Sequence, residues 1–109
     1  MAQVQSIFNK ITAIYESAAI NIDITKNKRW KDIEEKFGDV IVRTVNARCD
    51  SIIIKGDNFE GIFFANLSIS YVDPDDELTY YYGSGVSGDF LGKFKNGNPE
   101  FTNVNLWRD

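Results

Sequence analysis

No histidine occurs among the 109 residues, cysteine occurs once and proline twice. Histidine is the usual general base and metal ligand at neutral pH, so its absence removes Ser-His-Asp and Cys-His catalysis and zinc sites built on imidazole. The lone Cys49 cannot close an intrachain disulfide, and without a histidine it lacks the usual partner of a reactive thiolate. No run approaches the roughly 20 apolar residues of a membrane-spanning helix. The opening MAQVQSIFNK has neither the basic start nor the apolar core of a secretory signal. These absences set the expectation of a cytoplasmic protein that is not an enzyme, carries no metal or cofactor and has no membrane partner. Asn66-Leu67-Ser68 has the form of a glycosylation sequon, which is without meaning in that compartment.

Eight phenylalanines, five tyrosines and two tryptophans, with 43% hydrophobic residues and a net charge of −4, describe a folded chain rather than a disordered one. At this length roughly 65% of the unfolded surface is buried on folding, enough for one core, so residues 1–109 are read as a single domain.

Val4, Ile7, Phe8, Ile11, Ile14, Tyr15 and Ala18 recur at steps of three and four, which predicts an amphipathic helix of four to five turns. Ile20, Ile22 and Ile24 alternate with Asn21 and Asp23, the pattern of a short half-buried strand. A second, shorter helix is expected over about 28–37, with Trp30, Ile33 and Phe37 on its apolar side and Gly38 where it stops. From Asp39 onward the runs VIVRTVNAR, SIIIK, GIFFANLSISYV, LTYYYGSGVS, DFLGKF and FTNVNLW are rich in β-formers and divided by Gly, Asn, Asp and Pro. Turns are placed at Val72–Glu77 and Lys95–Pro99. The expected class is α+β, with both helices packed on one curved antiparallel sheet of about five to six strands. In element order this resembles the cystatin-like and ketosteroid-isomerase-like α+β rolls, which also place a long helix before a wrapping antiparallel sheet.

Gly83-Ser84-Gly85-Val86-Ser87-Gly88 spells G-x-G-x-x-G, yet the next residues, Asp89 to Phe94, read as a strand and not as the helix a dinucleotide site needs. The glycines are therefore assigned to a bulged or sharply bent strand. The phrase Tyr81-Tyr82-Gly83 with Gly88 and Gly92 has the spacing of a MORN-type unit. Laying residues 59–80 over 81–102 matches only Gly61 with Gly83, so no repeat is assigned. Asp73, Asp75, Asp76 and Glu77 fail the EF-hand pattern, since Leu78 and Ser84 stand where its glycine and final glutamate belong.

Charge divides unevenly: residues 1–55 hold 9 basic and 7 acidic side chains, residues 56–109 hold 3 and 9. The acidic sheet half disfavours nucleic acid, whose binding needs cations on phosphates. Next to Asp73, Asp75, Asp76 and Glu77 stands Thr79-Tyr80-Tyr81-Tyr82. If Leu78, Tyr80 and Tyr82 face the core, Tyr81 projects outward beside the carboxylates, an aromatic anchor with a charged rim. Asp73, Asp75, Asp76, Glu77 and Tyr81 are thus the expected contacts to a protein with a basic surface. The functional expectation is a small inhibitor of another protein, such as an immunity protein against a nuclease toxin or a phage-encoded anti-CRISPR. One alternative is a roll with a small-ligand pocket lined by Phe63, Tyr71, Tyr80 and Tyr82, enzymatic or not. Another is a structural subunit that self-associates through an edge strand.

Overall fold

The computed structural model describes residues 2–75 and 77–107, with side chains from Ile7 onward. Two helices pack on one open antiparallel sheet of five strands, an α+β fold. The first helix, α1, spans Ala2–Asn21, and Ile14 and Ala18 carry its apolar stripe into the core. The strand expected over 20–24 does not form. The helix continues through Asn21, Ile20 is 82% exposed, and Ile24–Lys26 makes one 3-10 turn. Ile22 and Ile24 are nevertheless buried on either side of an outward Asp23. Their alternation belongs to a tight connection that tucks two side chains under the helix.

Asp23 shapes that connection, because its Oδ1 accepts the Thr25 backbone N–H at 3.0 Å and the Thr25 hydroxyl. The hydroxyl bond above all, with the backbone bond and Lys26 nearby, lowers the Asp23 pKa despite slight desolvation. A depressed folded pKa means stability present above the unfolded carboxylate's value and lost as pH falls through the folded one. Asp23→Asn keeps an acceptor but cannot titrate. The acid side of its melting-temperature profile, recorded between about pH 2 and pH 5, is expected to be shallower than that of the parent chain.

The second helix, α2, spans Trp30–Phe37, close to the expected 28–37. Trp30 is buried, and Gly38 ends the helix at φ +79° with its N–H donated to the Glu34 carbonyl at 2.7 Å. The chain then enters the sheet through β1 (Asp39–Ala47), β2 (Ile53–Lys55), β3 (Asn58–Val72), β4 (Thr79–Lys95) and β5 (Asn98–Leu106). Spatial order is β1-β3-β4-β5, with β2 pairing β3 on the side of β1. The expected runs LTYYYGSGVS and DFLGKF fall in one strand of 17 residues, because Gly88 between them does not interrupt pairing. The β4–β5 hairpin turns through Asn96 and Gly97 at φ +53° and +80°, the conformation of a two-residue type I′ turn.

β3 and β4 pair without a register shift from Asn58↔Lys93 to Val72↔Thr79. Their helix-facing side, the inner face, carries Phe59, Phe63, Ala65, Leu67 and Ile69 from β3 and Val86 and Phe90 from β4, all buried. Single-residue bulges at Arg43 in β1 and Thr102 in β5 switch which residues point inward. Val40 and Val42 face in before the first bulge and Val45 and Ala47 after it, which keeps both apolar sets inside and bends the sheet round α1.

The G-x-G-x-x-G phrase lies wholly inside β4, where ring packing accounts for two of its glycines. A Cβ at Gly88 would stand 2.6 Å from Phe63 Cζ and closer still to the Asn105 carbonyl. At Gly85 it would fall on the ring of Phe64, on the outer face. Here glycine makes room for cross-strand phenylalanines and cradles no phosphate.

Candidate functional site

The longest axis of the molecule is 62 Å against 25 and 23 Å for the others, and β3 and β4 run along it. β1 begins opposite Ser70, so past that level β3 and β4 continue alone to their turn. On the inner face Tyr71 and Tyr80 stand past that level and Tyr82 stands just below it. The register places Tyr71 directly opposite Tyr80, and Tyr82 opposite Ile69. Tyr71 and Tyr80 stack with ring centroids 5.5 Å apart at 23°, and Tyr82 meets Tyr71 edge-on at 6.1 Å. All three are solvent-exposed, Tyr71 at 52% and Tyr82 at 46%. Tyr80 and Tyr82 do lie on the core-facing side, as the alternation predicts, but the buried core ends at Ile69, level with Tyr82 and below Tyr80. A two-residue period fixes which face a side chain takes and says nothing of how far the helices extend over that face.

Tyr81 projects from the opposite face across from Ser70 and is 66% exposed, near the exposed Val72. The turn holds itself together through Asp73: its backbone N–H donates to the Leu78 carbonyl, its carbonyl accepts Glu77 N–H, and its Oδ1 accepts Asp75 N–H at 2.8 Å. The Asp73 carboxylate is thereby engaged in the turn, which leaves Asp75 and Glu77 as exposed carboxylates beside the tyrosines. Asp76, the fourth acidic residue expected at this site, lies outside the described residues. Glu77 sits at φ +58°, a left-handed position that costs a side-chain-bearing residue roughly 1 kcal/mol. Glu77→Gly is accordingly expected to raise the unfolding free energy slightly or leave it level in urea titration, despite glycine's greater unfolded-state entropy.

Phe63 is fully buried in the core, eight residues along β3 from Tyr71, a separation of about 26 Å. These two therefore do not line a common pocket. A cavity of about 180 Å³ does open elsewhere on the inner face, between α2 and the sheet. Ile33, Phe37, Leu67 and Val86 line it, with two cations, Arg29 and Lys36, and one anion, Asp32. Neighbouring it on the outer face, Asp89 accepts Trp107 Nε1–H at 2.6 Å and Asn105 Nδ2–H at 2.9 Å, which pins the end of β5 to β4. Sequence reading missed that clamp, since nothing in the linear order sets Trp107 beside Asp89.

Among the described residues no group of three or more acidic or cysteine side chains is arranged to hold a metal ion, and no helix is long and apolar enough to cross a membrane. Cys49 is exposed and unpaired.

The fold and the exposed hairpin thus define an α+β domain with a tyrosine-rich, acidic end. No protein-family model matches the chain, and no curated protein matches it. Among solved structures, the intermembrane space region of chloroplast protein ARC6 is similar over 99% of this chain and 96% of that one, at 12% identity and a TM-score of 0.43. At that distance the likeness carries no argument about function.

Proposed function

We propose that this chain is a protein-binding module whose β3–β4 hairpin end engages a partner with a basic surface and inhibits it by covering that surface. The observation that carries this reading is the stack of exposed tyrosines at an unsheltered hairpin end. Rings left in water forgo about 25 cal/mol per Å² that burial against a partner recovers. Tyrosines already packed on one another also lose little conformational freedom on binding. The charge of the partner is inferred from the acids. Residues 61–88 contain Asp73, Asp75, Asp76 and Glu77 and no lysine or arginine. Such a field speeds encounter with a cationic surface and fades with salt.

An immunity protein against a basic nuclease, or a phage-encoded inhibitor of a defence system such as an anti-CRISPR, is the finer form of this reading. The competing ligand-pocket reading draws less support. Phe63 lies about 26 Å along β3 from Tyr71, so the residues expected to line that pocket do not come together.

The test immobilises the chain, passes lysate of its source organism over it at low and high salt, and repeats this with a Tyr71→Ser/Tyr82→Ser variant. A stoichiometric basic partner that is lost at high salt and on the variant, and whose activity falls as the free chain is added, is the expected result. A partner retained equally by the variant would remove the hairpin from the interface.

A further inference from the structure

α2 packs against β1, and its Ile33 and Phe37 stand over the inner face of β3 and β4 with a gap beneath them. That gap is the cavity of about 180 Å³. Leu67, Val86 and Leu106 make its floor, and all three are more than nine-tenths buried. β5 ends at Leu106, and beyond Trp107 the edge of β4 is open among the described residues, so no strand closes the gap there. Walls of this kind hold one ring, since an apolar cavity of about 150 Å³ takes up benzene. The rim is charged. Arg29, Asp32 and Lys36 follow one another at steps of three and four, the spacing of neighbours on one helix face. Asp32 is thus placed to pair with either cation, yet among the described residues the one ion pair is Arg48 with Asp50. Arg29 is half-buried, its backbone N–H is donated to Asn27 Oδ1 at 3.0 Å, and no described residue accepts a hydrogen bond from its guanidinium. Lys36 Nζ lies 5.1 Å from the centre of the Phe37 ring, against the cavity wall. The rim therefore keeps one positive charge in excess, on a chain whose net charge is −4.

We propose that this cavity binds a small aromatic carboxylate. The ring enters beneath α2 onto Leu67, Val86 and Leu106, and the carboxylate stays at the rim, where the planar Arg29 guanidinium donates two parallel hydrogen bonds to it. Half-burial of Arg29 thins the water that competes for those bonds. The excess of one charge selects a monoanion. A phosphate dianion would bring its second charge against Asp32. The site stands on the cavity and its rim, and not on the partner-binding reading of the hairpin.

The test titrates the methyl-labelled chain with 3-phenylpropionate in two-dimensional NMR, with 3-phenylpropanamide as the neutral counterpart. The acid is expected to shift the methyl signals of Ile33, Leu67, Val86 and Leu106 with a Kd of about 1 mM or tighter, and the amide to bind about tenfold more weakly. Arg29→Gln should keep the fold, judged by circular dichroism, and weaken the acid about tenfold while leaving the amide unchanged. Asp32→Asn removes the repelling charge and should tighten the acid by about threefold. Ile33→Trp fills the gap and should remove binding of both compounds. No saturable shift of these methyls at about 10 mM acid overturns the proposal. So does equal binding of acid and amide, or a folded Arg29→Gln or Ile33→Trp that binds the acid like the parent. The Tyr71→Ser/Tyr82→Ser variant should bind the acid like the parent, so the hairpin reading and this site can fail separately.

Discussion

A Phe63→Ala variant is expected to lose about 3–5 kcal/mol of unfolding free energy in urea titration. The ring is fully buried at the centre of β3 and lies over Gly88 of β4 and next to the Asn105 backbone. Removing it deletes the transfer energy of a phenyl group and opens a void above a residue with no side chain to fill it. Small domains have roughly 5–15 kcal/mol in total, so this one change takes a large share. The same geometry predicts the effect of the opposite error. Gly88→Ala puts a methyl group into the Phe63 ring and the Asn105 carbonyl, and should cost about 1–3 kcal/mol through overpacking. Because the two residues touch, the double variant should be less unstable than the sum of the singles. A Phe63→Ala loss below about 1 kcal/mol would mean that the ring does not pack as described.

Changing Tyr71, Tyr80 and Tyr82 together to serine is expected to have the reverse profile, large on binding and modest on stability. The rings are solvent-exposed at the margin of the core, and Tyr71 packs against both Tyr80 and Tyr82. If they anchor the interface, each truncation costs about 2 kcal/mol or more of binding, and the triple change should weaken the partner's affinity by at least about a thousandfold. The melting temperature should fall by only a few degrees. Titration calorimetry against the captured partner, with a thermal melt of the same variant, measures both. Binding within about tenfold of the parent would show that the stack is not the anchor.

Much of the fold was legible in the chain, and the departures have physical causes. Ile14 and Ala18 lie on the predicted stripe, and Gly38 stops α2 where the helix was expected to end. Ile22 and Ile24 misled because alternate burial in a turn-like connection looks the same as in a strand. The glycines of β4 suggested two strands, since the phenylalanines that need those gaps sit on another strand far away in sequence. In the candidate site, the face assigned to Tyr81 and the acidic turn beside it could be read from alternation and from proline. The exposure of Tyr80 and Tyr82 could not, because it depends on where α2 and β1 end relative to β3. Nor could the engagement of Asp73 within its own turn, or the open edge of β4, which is set by β5 ending at Leu106.

Hydrogen–deuterium exchange of the chain, alone and with its captured partner, tests the hairpin's role most directly. Slowed exchange concentrated in residues 70–82, with α1 and β1 unchanged, is the predicted result. Protection confined to the helices or to β1, with 70–82 exchanging as in the free chain, would contradict it.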